Sequence, residues 1–193
     1  PITSYVETGN LQRISLNSGL DGNPQATGNI GGSLDLKLRR IGFGNRPSSE
    51  YHLSTGYESN GNIQVYGTDA QFSDSHFYTN FGIFFRHADN YKAGDNETVA
   101  FSQFQKMNTY LNLGFQPSKN HIFEATFIYD LATNVGYPAL NMDVKKAEGI
   151  IGAVTYRHES MEGFFNRWET KLYTNRIVHI MDDTKRPNVE IHM

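Results

Sequence analysis

The sequence contains no cysteine among its 193 residues. This absence excludes a disulfide framework, a thiol nucleophile, a thiolate metal site and an iron–sulfur cluster. An excess of basic residues is also missing, since 17 Lys and Arg stand against 20 Asp and Glu, for a formal net charge of −3. This balance argues against a nucleic-acid-binding protein. No hydrophobic run approaches the roughly 18 residues of a transmembrane helix.

Aromatic residues and glycine, by contrast, are abundant. The chain has 13 Phe, 11 Tyr and 18 Gly, although only 38% of its residues are hydrophobic. Phe and Tyr favour pleated strands, whereas Gly favours turns. Modest hydrophobicity does not exclude a membrane protein, because a transmembrane barrel alternates lipid-facing apolar residues with polar residues that face the lumen.

Seven segments show apolar and polar residues alternating with a period of two, which predicts seven strands. In the clearest of them, residues 77–86, Phe81 and Ile83 fall on one face and Asn80 on the other. The other six are residues 50–58, 63–72 (with a bulge near Gly67), 106–116, 122–131, 149–158 and 168–175. We expect an outward apolar face and an inward polar face. The outward residues include Thr79, Phe81, Ile83, Leu111, Leu113 and Phe127, and the inward ones Asn80, Asn108, Asn112 and Glu124.

Short and long connections alternate along the chain. Short turns are predicted at 73–75, 117–120 and 161–163, and long loops at 87–103, 132–147 and from 179 onward. In an antiparallel sheet these sets lie on opposite rims, which is typical of outer-membrane barrels. Aromatic residues beside the short turns predict an interfacial girdle. They are Phe72, Phe77, Phe115, Phe123, Phe164, Phe165 and Trp168.

The N-terminal segment carries a resemblance to a known family. Residues 11–19 (LQRISLNSG) and 28–39 (GNIGGSLDLKLR) resemble the end of the plug domain of TonB-dependent outer-membrane receptors, although the family usually has Gly-Pro where this chain has Gly19-Leu20. The resemblance implies that residues 1–45 are the C-terminal part of a plug with its linker. Residues 46–193 would then be the N-terminal strands of the barrel. Gly28, Gly31 and Gly32 are expected in the plug turn, where they permit close approach to the barrel wall.

The implied fold class is all-β: a segment of a transmembrane antiparallel β-barrel of about seven strands, preceded by the end of a plug domain. Such receptors are 22-stranded, so we expect this chain to be a fragment of a longer protein. The resemblance implies TonB-dependent uptake of a scarce nutrient, such as a metal or siderophore, across the outer membrane of a Gram-negative cell. The implied partners are the TonB energy-coupling complex, outer-membrane lipid, the transported ligand and the rest of the barrel, without nucleic acid or a required cofactor.

Met142, His179 and Met181 are the candidate ligand-binding residues. Imidazole and thioether groups together suit copper, so His179 and Met181 are candidate metal ligands with copper as the transported ion. Residues 137–143 (YPALNMD) and 179–183 (HIMDD) are similar to segments of the copper-receptor branch of the family, which has a His-x-Met pair and also a plug Cys that this chain lacks. We expect the three residues on loops at the ends of strands five and seven, roughly 10 Å apart. Alternatively, His179 and Met181 end a strand and Met142 packs against the wall.

Other classes remain open at this point. A soluble or surface-displayed β-sandwich binding module, such as an adhesin, also has alternating strands. A plain diffusion porin lacks a plug. The sequence has neither a His-Glu-x-x-His motif nor a nucleophile elbow, and it therefore predicts no enzymatic activity.

Overall fold

The computed structural model describes residues 5–19, 31–159 and 166–186, and its architecture is all-β. Strands β1 (Leu11–Ser18) and β2 (Gly32–Leu38) form a two-stranded antiparallel sheet. The other seven strands form one antiparallel sheet in chain order, so each strand pairs with the next. They are β3 (Ser48–Glu58), β4 (Ile63–Ser73), β5 (Phe77–Ala88), β6 (Phe104–Ser118), β7 (His121–Val135), β8 (Asp143–Glu159) and β9 (Arg167–Asp182).

The seven predicted strands are confirmed, and the sheet they form is open, with β3 and β9 at its edges. Several strands extend beyond their predicted ends: β8 begins at Asp143 and β9 continues to Asp182. The predicted bulge near Gly67 is wrong, because β4 keeps a continuous register with both neighbours through that residue. Within the described ranges, no helix is long and apolar enough to cross a membrane.

One face of the large sheet, here called the outer face, is apolar and exposed. Phe81, Leu111 and Phe127 lie side by side on it in register. Phe81 is 43% exposed and Phe127 is 44% exposed. The two sheets of the described chain do not stack on this face, so the sandwich alternative is wrong for the part of the chain that the structure describes. The described girdle residues, Phe72, Phe77, Phe115, Phe123 and Trp168, alternate onto the same face.

The opposite face, here called the inner face, is polar and covered by N-terminal residues. Asn80, Asn108 and Asn112 are all at most 1% exposed. Backbone groups of the covering segment bond to them: Ile41 N donates to Asn80 Oδ1 at 3.2 Å, and Asn112 Nδ2 donates to the Arg39 carbonyl at 3.3 Å. These hydrogen bonds replace some of the bonds to water that the amides lose on burial. Asn80 Nδ2 and Asn108 Oδ1 have no hydrogen-bond partner among the described residues.

Ion pairs also join the N-terminal residues to the inner face. Arg40 lies 3.0 Å from Glu124, Arg86 of β5 lies 2.5 Å from Glu7, and Arg39 lies 3.9 Å from Asp69. A small apolar cluster completes the contact. It consists of Phe84, Tyr110 and Ile128, with Leu38 and Ile151 packed against it.

Of the three plug-turn glycines, Gly31 and Gly32 are described, and neither packs against the wall as expected. A Cβ atom at Gly32, where φ is +142°, would lie 2.6 Å from the carbonyl oxygen of Asn17 in the partner strand of the same hairpin. No heavy atom lies within 4 Å of the corresponding position at Gly31. Gly28, like Phe164, Phe165 and the 161–163 turn, lies outside the described residues. The division of the chain near residue 45 stays a prediction.

Candidate functional site

The two ends of the seven-stranded sheet differ. The loop rim carries residues 59–62, 89–103, 136–142 and 183–186, and the turn rim carries residues 74–76 and 119–120. His179 and Met181 lie near the loop rim, but they belong to β9. The expectation that His179 begins a loop is therefore wrong. The β-branched residues Ile177, Val178 and Ile180 favour continued strand pairing with β8 through this region.

The three candidate ligand residues are closer together than predicted. Met142 immediately precedes β8, and β8 is the direct neighbour of β9, so one strand spacing replaces the expected two. Met181 is the cross-strand partner of Val144, which places Met142 two residues from that pair. Such diagonal neighbours are about 7–8 Å apart at the backbone, within reach of long side chains.

A local irregularity turns this end of β8. The register between β8 and β9 shifts between Val144 and Lys146, so Lys145 is an extra residue on β8. Across the sheet from it, Asn134 of β7 adopts the left-handed φ of 53°. Because side chains alternate along a strand, the extra residue moves Val144 to the inner face, where it is 2% exposed. Val144 therefore lies on the same side as His179.

His179 lines an inner-face cavity of about 390 Å³. Tyr5 of the N-terminal segment covers part of the cavity, and its ring packs so closely on Gly149 that a Cβ there would lie 2.6 Å from Tyr5 Cδ1. The lining residues are Tyr5, Phe104, Lys106, Asp130, Ala132, Val135, Tyr137, Val144, Ala147 and His179. The cavity thus joins the N-terminal segment, the wall and the loop rim.

The polar part of the cavity is a partly buried ion pair. Lys106 Nζ lies 3.3 Å from Asp130 Oδ2, and the Asp130 side chain is only 2% exposed. Asn108 Nδ2 donates to the same carboxylate oxygen at 2.8 Å and is also 3.3 Å from the Tyr5 carbonyl. This arrangement offers a hydrogen-bonding surface opposite apolar side chains, as ligand cavities commonly do.

Arg186 fixes the loop rim above the cavity. Its guanidinium donates to both carboxylate oxygens of Asp143, at 2.5 and 3.1 Å, and to the Tyr137 carbonyl at 2.9 Å. It also lies 3.7 Å from the ring centre of Phe101. Both charged side chains are less than 10% exposed. Arg186 therefore holds together the segment after β9, the 89–103 loop and the 136–142 loop.

Another contact braces the loop rim nearer β3. Asn62 Nδ2 donates to Asp89 Oδ2 at 2.9 Å, and this hydrogen bond is the main reason that the pKa of Asp89 is lowered. Asn60 exchanges hydrogen bonds with the backbone of Lys92, which ties the β3–β4 turn to the 89–103 loop.

Sequence reasoning missed several residues of this site. Tyr5, Lys106, Asp130, Asp143 and Arg186 were not singled out. The period-two pattern does place Lys106 and Asp130 on the inner face, and that was the available signal. Among residues 5–19, 31–159 and 166–186, no three His, Asp or Glu side chains are grouped to hold a metal, so a soft metal here would depend on the thioethers.

The fold defines a class: an open antiparallel sheet with an apolar outer face and a polar, covered inner face has the architecture of part of a β-barrel wall. Solved structures with this fold include one titled "Copper transporter OprC", at a TM-score of 0.84 and 21% sequence identity. The likeness covers 95% of this chain and 28% of that chain, so this chain spans less than a third of its neighbour. At this identity the likeness shows the fold. No protein-family model matches the chain, and no curated protein is significantly similar to it.

Proposed function

We propose that the chain is part of a TonB-dependent outer-membrane receptor that takes up copper without chemistry of its own. Residues 46–193 form one section of the barrel wall, and residues 1–45 belong to the plug. The transport of copper and the coupling to TonB belong to the complete receptor, of which this chain supplies a segment.

The observation that carries the membrane assignment is the height of the apolar outer face. Outward side chains are predominantly apolar across residues 77–85 of β5, 107–115 of β6 and 123–131 of β7, nine residues on each strand. A tilted transmembrane strand needs about 9–11 residues to cross the hydrocarbon core. Exposed Phe115, Phe123 and Trp168 lie at the turn-rim end of this band, where an interfacial aromatic girdle belongs.

The covered inner face supports the plug assignment. A simple wall would leave inward polar residues in water, but here the amides of β5 and β6 bond to N-terminal backbone groups. The ion pairs of Glu7 and Arg40 fasten the same segment to the wall. Remaining strands of the receptor pair with the free edges of β3 and β9, because an open edge leaves unpaired backbone groups in the membrane.

Copper is the proposed cargo because of the chemistry of three side chains. The imidazole of His179 and the thioethers of Met142 and Met181 suit Cu(I). The register of β8 and β9 supports their proximity, and His179 borders a cavity large enough for a hydrated ion. The structural neighbour titled as a copper transporter is consistent with this cargo.

The test measures Cu(I) affinity by chelator competition and cellular copper uptake with the full-length receptor. We expect His179→Ala and Met181→Ala each to weaken Cu(I) binding at least tenfold and to reduce uptake. Met142→Ala should weaken binding less, since Met142 lies diagonally from the other two. Met107→Ala is the matched control, because Met107 is a methionine of β6 on the outer face.

Unchanged Cu(I) affinity in both His179→Ala and Met181→Ala would reject copper as the ligand of this site. Unchanged uptake after deletion of TonB would reject the proposed energy coupling. Equal weakening by Met107→Ala would show that the reduced binding reflects general damage to the barrel.

A further inference from the structure

Two histidines face each other on the outer face at the turn rim, far along the strands from His179. His121 of β7 is the cross-strand partner of His158 of β8. Their ring centres are 4.6 Å apart, and the ring planes are inclined by 37°. Both alternate onto the same side as Phe123 and Tyr156, whose rings are 5.0 Å apart.

A phenol lies against this pair. His121 Nδ1 is 2.9 Å from the Tyr156 hydroxyl, and the two rings are stacked with centres 6.1 Å apart. His158 Nδ1 is buried and has no hydrogen-bond partner in the described part of the chain. A buried polar atom without a partner lowers the stability of the fold. Hydrogen bonding by Nδ1 therefore does not explain the position of the His158 ring beside His121.

The pair differs from His52 and His87 in its electrostatic surroundings. His52 lies 3.1 Å from both Glu50 and Asp69, and His87 lies 3.2 Å from Asp89. Neither His121 nor His158 forms an ion pair with a carboxylate among the described residues. The ring nitrogens of the pair are therefore not engaged by carboxylates of the described chain, unlike those of His52 and His87.

We propose that His121 and His158 form a binding site for a divalent transition-metal ion, Cu²⁺ or Zn²⁺, with the Tyr156 hydroxyl as a third donor. Imidazole is a preferred ligand of both ions. Two imidazole nitrogens bound to one ion at about 2.0–2.1 Å are roughly 3 Å apart. The ring centres of His121 and His158, 4.6 Å apart, are close enough for both rings to bind one ion. Water fills the remaining positions. The site is separate from the proposed copper cargo site, which lies at the loop rim.

The site sits at the aqueous edge of the sheet. Only residues 119–120 separate β6 from β7, so His121 lies at the start of its strand beside the turn. Direct pairing of the two strands at this level fixes the spacing of the two Cα atoms. A bound ion would link β7 and β8 where the sheet leaves the apolar band.

The test uses the full-length receptor in detergent, titrated with Cu²⁺ and observed by electron paramagnetic resonance. We expect wild type to show a Cu²⁺ signal with coupling to two imidazole nitrogens. His121→Gln and His158→Gln should each weaken this binding at least tenfold and leave coupling to one nitrogen. Tyr156→Phe should weaken binding about threefold and keep both nitrogens. Zn²⁺ should compete with Cu²⁺ in wild type.

Two controls make the result specific. His76→Gln removes a histidine of the same rim that is exposed and bonded to Ser75, and it should leave the signal unchanged. His179→Gln tests independence from the cargo site and should also leave the two-nitrogen signal unchanged. The proposal is overturned if His121→Gln and His158→Gln keep wild-type affinity, or if His76→Gln or His179→Gln abolishes the same signal. An unaltered affinity in Tyr156→Phe would remove the phenol from the ligand set.

Discussion

Replacement of Arg186 by Gln should release the loop rim. The Arg186 and Asp143 side chains are 8% and 6% exposed, so Arg186→Gln leaves a buried carboxylate without its counter-charge. The substitution removes the two-pronged contact with Asp143, the bond to the Tyr137 carbonyl at 2.9 Å and the contact with the Phe101 ring at 3.7 Å.

The expected magnitude follows from this burial. Removing one partner of a buried ion pair costs about 3–5 kcal/mol. Since each 1.4 kcal/mol is tenfold in an equilibrium constant, opening of the 136–142 loop should become more frequent by about two to three and a half orders of magnitude. The penalty should be local, because the partners of Arg186 named above all belong to the loop rim or to the first residue of β8 beside it.

Amide hydrogen exchange measures this opening directly. The Tyr137 amide donates to Asp143 Oδ1 at 3.3 Å, and the Gly136 amide donates to the Gln103 carbonyl at 2.9 Å. Exchange of both amides therefore reports on opening of the 136–142 loop. Their exchange should accelerate in Arg186→Gln, while amides in the middle of β6 keep their protection. The double variant Arg186→Met with Asp143→Leu should recover much of the protection of the Gly136 amide, because an apolar pair leaves no buried charge. The Tyr137 amide does not report in that variant, because its acceptor, Asp143 Oδ1, is removed.

Two results would refute this reasoning. An acceleration below about fivefold in Arg186→Gln would mean that the ion pair contributes less than about 1 kcal/mol to loop closure. The second concerns additivity. If the changes in opening free energy measured for Arg186→Met and Asp143→Leu alone simply add in the double variant, Arg186 and Asp143 are not coupled.

Two further predictions concern the wall. Gly114→Ala should lower the free energy of unfolding by about 1–3 kcal/mol, because the new Cβ would lie 1.9 Å from the ring of Tyr78, which is 1% exposed. Gly56→Ala, where the nearest atom is 3.6 Å away, should be almost neutral, and thermal unfolding in detergent compares them. At the turn rim, Asp74 accepts backbone hydrogen bonds from His76 and Phe77, which lower its pKa. A lowered pKa stabilises the turn above the ordinary Asp value of about 3.9 and loses that effect as pH falls below it. Thermal stability measured from pH 3 to 6 should therefore decline less steeply in Asp74→Asn, and an identical decline in both proteins would contradict this.

The strands were predictable because their signal is local. Period-two alternation in residues 77–86 and 106–116 located β5 and β6 and assigned Asn80 and Leu111 to the correct faces. The strand ends were less predictable, since the signal fades where both faces become polar or irregular. The alternating pattern predicts a last strand that ends at Asn175 and a loop from His179 onward, yet pairing with β8 carries β9 to Asp182.

Contacts between distant parts of the chain could not be predicted from the pattern. Asp143 and Arg186 are 43 residues apart, and Glu7 and Arg86 are 79 apart. Each charge alone is an ordinary polar residue in the sequence, and only the fold shows which are buried together. The extra residue at Lys145 was missed for a related reason: a bulge depends on the register of the neighbouring strand.

The polar lining beneath the N-terminal segment has a consequence for how the two parts separate. Amide, carboxylate and guanidinium groups, such as Asn80, Asn112 and Arg40, regain hydrogen bonds to water when the contact between them opens. The separation also exposes a few apolar contacts: the cluster around Phe84, the Phe43 ring against Tyr78 and the Tyr5 ring against Gly149. Separation of the segment from the wall therefore breaks individual polar contacts together with these few apolar ones. Because Asn80, Asn108 and Asn112 are polar, water readily wets the surface left behind.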